Sequence, residues 1–371
     1  MRFGGHETFT IRPGWLAKGL RRIAETPDVP FDDPETADAL GVGRNMARSI
    51  RHWLQVTGLV APMAGGGAPA LTGLGRLVLE RDPYTQHAAT WWACHAVLAT
   101  RPEAARAWRW FFAELDRDRF DRLACVEELR RALEQSGERV PSPKTLARDV
   151  ACLLQSYAEP LPPEAADPED ATDCPLRRLG LLVLHRETGI YERRFGRRRV
   201  PPELLGLVMS SGNGELTGER IELTFTEALV LPRGPGRVLA LDADGLAELA
   251  DRAAAATGGD IGVLTLGAER VVSVRLPALD RRRGRPRPPR ALRPLPPDRA
   301  ERPNHRCRGV RPAGRGHDGH RRLRQRQVPC SRGRRPCGHQ RAADLGDDAR
   351  RRRAAGGRRP RVGTAAGQAA G

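Results

Sequence analysis

The residue pattern predicts a mainly α-helical protein with small β elements, and three observations carry that expectation. Residues 33–60, DPETADALGVGRNMARSIRHWLQVTGLV, have the spacing of a helix-turn-helix. The stretches 90–112 and 125–158 repeat apolar residues at three- and four-residue intervals, the period of a buried helix face. Several strand-like runs gather in residues 174–279. The expected organisation is a winged helix-turn-helix region in 1–90, then a helical region with a second helix-turn-helix-like unit in 91–160. A small mixed α/β region follows in 174–279, and a disordered Arg/Pro/Gly tail in 281–371.

The N-terminal stretch sets Phe3, Phe9, Ile11 and Trp15 around Gly4-Gly5-His6-Glu7. It reads as an extended segment leading into a helix from near Pro13 through Ile23. His6 and Glu7 are adjacent ionisable groups beside two glycines, which suits a catalytic or ligand-binding corner. The other reading is a side chain that caps the next helix or fixes a fold-internal hydrogen bond. The absence of a nearby partner carboxylate or metal-ligand spacing favours that second reading.

In the helix-turn-helix, Asp33 suits an N-cap and Pro34 a first helical position, where a missing N–H costs nothing. Gly41-Val42-Gly43 is the turn, and a second helix runs from Arg44 to about Thr57, stopped by Gly58. Met46, Ile50, Trp53 and Leu54 share one face of it. Arg44, Arg48, Arg51 and Gln55 fall within about 60° of one another on the opposite face. An apolar back and an arginine front suit a helix that docks on its own domain and meets phosphates and base edges in a major groove. Arg44, Asn45, Arg48 and Arg51 are the candidate DNA contacts, with Gln55 beside them. The alternative is a solvated charged face on an ordinary helical hairpin.

Leu59-Val60-Ala61, a glycine-rich tip at 63–69 and a return segment at 71–82 have the layout of a wing. The tip is not a phosphate-binding loop, because no Gly-Lys-Ser/Thr follows it. Residues 90–98 and 107–112 read as aromatic-rich helices. Such residues can stack on unpaired bases, but helical spacing with little interleaved Lys or Arg points to core. Cys94-His95 has no second half, so a zinc site is not expected there.

Residues 125–133 are again helical, with a turn at 137–141. In 142–158, Ser142 caps and Pro143 opens a helix with Leu146, Val150, Leu153 and Leu154 on one side. Lys144, Arg148 and Gln155 lie on the other, so Lys144 and Arg148 are further candidate DNA contacts. A purely structural role for this unit is an equal reading. Residues 160–173 form a Pro- and acid-rich connector. Beyond it, 179–184, 221–225, 261–266 and 270–276 read as strands and 242–254 as a helix. Gly189-Ile190-Tyr191 matches half of a nuclease signature whose other half is absent, and is discounted.

The 371 residues carry a formal net charge of +18, but its distribution matters more than its sum. From residue 281 onward there are 28 Arg, no Lys and 6 acidic residues, a charge of +22, so the first 280 residues sum to −4. Any DNA-binding surface on that body is a local patch and not a global field. Arg, Pro, Gly and Ala make up 64 of the 91 tail residues, a composition that cannot bury enough apolar surface to fold. It reads either as a basic arm for nucleic acid or, preferably, as the product of a frameshift in a GC-rich gene. On the latter reading Cys330, Cys337 and His339 carry no metal meaning. The four body cysteines, Cys94, Cys125, Cys152 and Cys174, are scattered, as in a cytosolic protein with reduced thiols. No signal peptide and no apolar run of about 18 residues is present, so a cytoplasmic protein is expected.

Taken together, FGGHETFTIRPGWLAKG, LGVGRNMARSIRHWLQVTGLV, LTGLGRLVLERDPY, ATWWACHAVLAT, SPKTLARDVACLLQSYA and DCPLRRLGLL resemble the bacterial domain-of-unknown-function family DUF4007. The resemblance continues weakly through LPRGPGRVLALD to about Arg275 and includes none of the tail. It implies a place in DNA sulfur-modification (phosphorothioation) and related antiphage systems. Partners there would be a cysteine desulfurase, a sulfurtransferase of the phosphoadenosine-phosphosulfate-reductase type, or an ATPase of the same system. A similar protein in one such system is regarded as the strand-nicking component. His6 and Glu7 match the family's opening motif and are the catalytic candidates that the resemblance implies.

The expected function is therefore double-stranded DNA binding within such a system, with strand nicking as a further expectation. Mg²⁺ or Mn²⁺ would be required only for nicking, which calls for a general base or carboxylates that hold a metal. No PD-(D/E)xK, HNH or HKD constellation is recognisable. The rival is a non-enzymatic scaffold that holds partner proteins of the defence complex.

Overall fold

Helix α1 (Trp15–Glu25) buries Trp15, Leu16, Leu20 and Ile23 on one side, two residues later than the sequence suggested. Its apolar side meets α2 (Pro34–Leu40) and α3 (Arg44–Val56), which have the predicted helix-turn-helix limits. On α3 the buried side is wider than the predicted stripe, taking in Ala47, Ser49, His52 and Val56 beside Ile50, Trp53 and Leu54. Gly58 then adopts a φ of 74°, a left-handed conformation that L side chains rarely take, and ends the helix. The computed structural model describes residues 3–31, 34–62, 68–101, 105–162, 173–211, 215–217 and 220–275. The expected Asp33 cap, the glycine tip at 63–67 and the arginine-rich tail lie outside the described residues.

After α3 the chain makes two short antiparallel arms. Val60 pairs with Leu71, and the Ala61 amide donates to the Ala70 carbonyl at 2.9 Å. The return arm is shorter than the sequence indicated. Thr72 accepts from the Gly75 amide and starts helix α4 (Gly73–Arg81), so most of 71–82 is helical.

The aromatic segments become α5 (Ala88–Thr100), the short α6 (Arg106–Arg109) and a π-helical turn (Trp110–Glu114). Trp91, Trp92, Trp108, Trp110, Phe111 and Phe112 are all buried. All but Trp91 meet one another or neighbouring rings, mostly edge-on, and the Trp91 indole donates to the Thr85 carbonyl at 2.9 Å, so the core reading holds. Helices α7 (Arg122–Gln135) and α8 (Pro143–Tyr157) pack against each other, and Ser142 caps α8 as expected.

Two four-stranded sheets complete the body. The first contains β1 (Arg119–Phe120), β2 (Ala158–Leu161), β3 (Leu182–His185) and β4 (Ile190–Arg193) in the order β1-β4-β3-β2. Only the β2–β3 pair is parallel. A 3-10 turn (Pro175–Leu179) occupies part of the segment expected to be strand, and Gly189 sits in the β3–β4 hairpin turn. That turn accounts for the nuclease-like tripeptide. The second sheet follows α9 (Glu203–Ser211) and contains β5 (Glu215–Thr217), β6 (Arg220–Thr224), β7 (Ile261–Leu266) and β8 (Glu269–Arg275), ordered β5-β6-β8-β7. Between β6 and β7 lie α10 (Phe225–Val230), α11 (Pro235–Val238) and α12 (Ala243–Ala256), the last capped by Asp242. One buried apolar cluster runs without a break from Ile11 to Val274, joining the helical part to both sheets. Among the described residues no helix is long and apolar enough to cross a membrane.

Candidate nucleic-acid interface

The residues named from sequence gather around the N-terminal loop, which helices α3 and α8 grip from two sides. From α3, the Ser49 hydroxyl donates to the His6 carbonyl at 2.9 Å, and the Trp53 indole donates to the Phe9 carbonyl at 3.1 Å. From α8, one carboxylate oxygen of Asp149 accepts from the Gly4 amide at 2.9 Å and bonds the His6 Nε2 at 3.1 Å. The Thr8 amide donates to His6 Nδ1 at 3.0 Å. Nδ1 is therefore an acceptor without a proton, so Nε2 carries the proton and donates it to Asp149. His6 and Asp149 are each 1% exposed, and the His6 ring lies among His52, Trp53 and Trp108.

Both ring nitrogens of His6 are thus occupied inside the fold. Of the two readings weighed from sequence, the geometry matches the fold-internal hydrogen bond. Glu7 is half-buried at a φ of 50°, and its side chain makes no bond to another described residue. Gly5 has no substitute: a Cβ there would meet His52 Nδ1 at 2.4 Å. The motif is therefore a close-packed loop that fixes α3 relative to α8.

This anchoring orients the basic faces. Ser49 points inward, whereas Arg48, the residue before it, and Asn45, one turn before it, are exposed, as is Arg44. Arg51 and Gln55 are half-buried. Arg48 reaches towards Asn45 Oδ1 at 3.5 Å, at the limit of a hydrogen bond. Asp149 likewise points inward and leaves Lys144 and Arg148 exposed on the outer side of α8. Arg44, Lys144 and Arg148 make no hydrogen bond or ion pair with another described residue. Helix α3 begins at Gly43 with no side-chain cap, so its first amides remain available at the arginine end. Guanidinium groups and free amides at a helix N-terminus are the chemistry that receives a phosphate.

Asp149 and Ser49 are the residues that sequence reasoning passed over. A signal for Asp149 was present, because it falls between Leu146, Val150 and Leu153 on the apolar stripe of α8. A carboxylate in such a stripe needs a donor. The donor could not be read from sequence, since it lies 143 residues away.

A second buried histidine anchors the other end of α8. His95 Nε2 donates to the Val238 carbonyl at 2.7 Å, and the Tyr157 hydroxyl donates to Nδ1 at 3.0 Å. Burial, with Arg198 and Arg193 nearby, lowers the His95 pKa to about 4, so the ring is neutral. The four body cysteines are free and buried, and burial pushes the Cys94 and Cys125 thiols up to about 12. Among the described residues no three His, Cys, Asp or Glu side chains converge as a metal site requires.

Comparison with known proteins agrees with this architecture. A crystal structure of magnesium-ion-bound SspB matches with a TM-score of 0.62 at 23% sequence identity, covering 74% of this chain and 83% of that one. A second SspB crystal structure matches with a TM-score of 0.61 at 22% identity and the same coverages. At this identity the likeness is one of fold. No curated protein matches the sequence significantly. The model of DUF4007, described as a protein of unknown function, matches residues 3–278, a span that takes in all of the described residues, and the chain belongs to that family.

Proposed function

We propose that this protein binds double-stranded DNA through the exposed face of α3, as the DNA-binding component of a bacterial DNA sulfur-modification or related antiphage system. The observation that carries the reading is the conjunction at one helix end of Arg44, Asn45 and Arg48, all exposed, with an uncapped N-terminus. The α2–α3 pair and the paired arms at Val60 and Leu71 are consistent with a winged helix, whose second helix enters a major groove. Arg51, Gln55, Lys144 and Arg148 extend the basic border on either side. The setting, with a cysteine desulfurase, a sulfurtransferase or an ATPase as partners in the cytoplasm, follows from the family resemblance.

The test is duplex binding to the full-length protein across a salt series. Arg44→Ala with Arg48→Ala is expected to weaken binding about tenfold or more and to lower the salt slope by about two, one unit for each lost phosphate contact. Unchanged affinity and slope would reject the α3 face.

Strand nicking is a second reading, favoured by the magnesium ion in the similar SspB structure. The described residues do not supply a three-ligand cluster, so no step through a cation is derived. Relaxation of supercoiled plasmid with Mg²⁺ or Mn²⁺, lost in Glu7→Ala and retained in Arg178→Ala, would support it. His6→Ala is a poor probe on its own, because it also removes the Asp149 anchor. A protein that does not bind duplex at low salt would instead support the scaffold reading.

A further inference from the structure

Two arginine runs, Arg177-Arg178 and Arg197-Arg198-Arg199, take no part in the DNA-binding reading. The fold brings them to one half-open cleft of about 340 Å³, between the start of α5, the 3-10 turn and the segment after β4. Arg178, Arg197, Arg198 and Arg199 line it, the edges of the otherwise buried Trp91 and Trp92 contribute its apolar wall, and none of the described residues that line it carries a carboxylate.

The four guanidinium groups are not equivalent. Arg198 is spent on the fold, donating to the carbonyls of Ala240 at 3.3 Å, Leu179 at 3.2 Å and Arg194. It holds the cleft's two sides together. Arg197 pairs with Asp244 at 2.8 Å, but both side chains are largely exposed, and such a pair contributes little. Arg178 and Arg199 are exposed and make no hydrogen bond or ion pair with another described residue. Helix α5 begins at Ala88 beside the cleft, but its start is already met inside the fold. The buried Asp82 carboxylate accepts from the Gln86 and His87 amides at 2.8 and 3.0 Å and from the Thr90 hydroxyl at 2.7 Å, which offsets the helix dipole and leaves the arginines as the cleft's positive feature.

Like charges concentrated in a concave, partly apolar site raise the local potential and call for a polyanion. The cleft is of a size for one small ligand and not for a duplex, whose phosphates lie on a convex surface. We propose that this cleft binds a mononucleotide-sized phosphate ester, with the phosphates held by Arg178 and Arg199 and the apolar part against the tryptophan wall. The site is separate from the α3 face and does not depend on the DNA-binding reading.

Isothermal titration of the full-length protein with adenosine diphosphate, inorganic phosphate and a short duplex tests it. The expected result is saturable binding of adenosine diphosphate, weakened about tenfold or more by Arg178→Ala with Arg199→Ala, the loss of charge-assisted bonds. The Arg44→Ala, Arg48→Ala protein should keep that affinity, which separates this site from the DNA interface. Thermal unfolding of each variant checks that the fold is retained. No saturable binding, or binding unchanged in the Arg178, Arg199 double variant, would overturn the proposal. So would equal affinity for inorganic phosphate, since the apolar wall would then contribute nothing. Duplex as the sole ligand of the cleft would also overturn it.

Discussion

Helices α3 and α8 grip the same loop, and each turns a basic edge outward. Each follows a turn, and each inserts one polar side chain, Ser49 or Asp149, into the backbone or ring of His6. Their N-termini differ. Ser142 accepts from the Thr145 amide at 3.2 Å, and Pro143 has no amide to satisfy, so the start of α8 is closed. The start of α3 is open at Gly43 and carries Arg44 in its first turn. At its other end α8 is tied down through Tyr157 and His95, within the aromatic core. A basic stripe is therefore common to both helices, and they differ in their starts: α8 is capped at Ser142 and tied down at Tyr157, whereas α3 offers an uncapped end to solvent, which is why the proposed DNA face is placed on α3.

The largest effect should come from breaking the anchor that relates the two helices. Asp149→Leu leaves the Gly4 and His6 donors buried without an acceptor, at a cost of roughly 3 kcal/mol or more in denaturant unfolding. Asp149→Asn keeps an acceptor for a neutral His6 and should retain most of the stability. Equal losses in both variants would mean that the carboxylate charge, and not the hydrogen bonds, matters there.

Acid should loosen the far end of α8. The folded-state pKa of His95 is about 4 against an ordinary 6.5, so the unfolded chain takes up this proton first as the pH falls. Stability from this group is complete above about 6.5 and is lost as the pH drops towards about 4, a swing of roughly 3 kcal/mol. Unfolding midpoints between those pH values should show it, and His95→Gln should remove this part of the slope while lowering stability at neutral pH.

Closing the open end of α3 sharpens the contrast further. Gly43→Asp supplies a cap and a negative charge, so helix stability should rise by a few tenths of a kcal/mol while duplex affinity falls severalfold. The smallest effect is expected on α8, where Lys144→Ala with Arg148→Ala should reduce duplex affinity only about two- to threefold with no change in stability. A loss as large as that of the Arg44, Arg48 variant would make the two helices equal partners in binding.

Much of this was legible in the chain. The limits of α2 and α3 could be read from Pro34, the Gly41–Gly43 turn and Gly58, because backbone preferences at proline and glycine act locally. The burial of the tryptophan and phenylalanine residues followed from their helical spacing, and the Ser142 cap from its position before Pro143. The β4 strand and helices α9, α10 and α11 did not stand out. They are short, and their form depends on neighbours: β4 pairs with β1, more than 70 residues earlier in sequence, as well as with β3.

The amino-acid sequence alone determined the family, the limits of α2 and α3 and the separation of a mildly acidic body from an arginine-rich tail, since these rest on local residue order and composition. Only the tertiary structure decided the role of His6, which depends on Asp149 reaching it across 143 residues. It also decided which cations face solvent and which are consumed, as Arg198 is by three carbonyls while Arg44 is left open. A side chain's partner is set by where the fold brings distant backbone, and no local pattern encodes that distance.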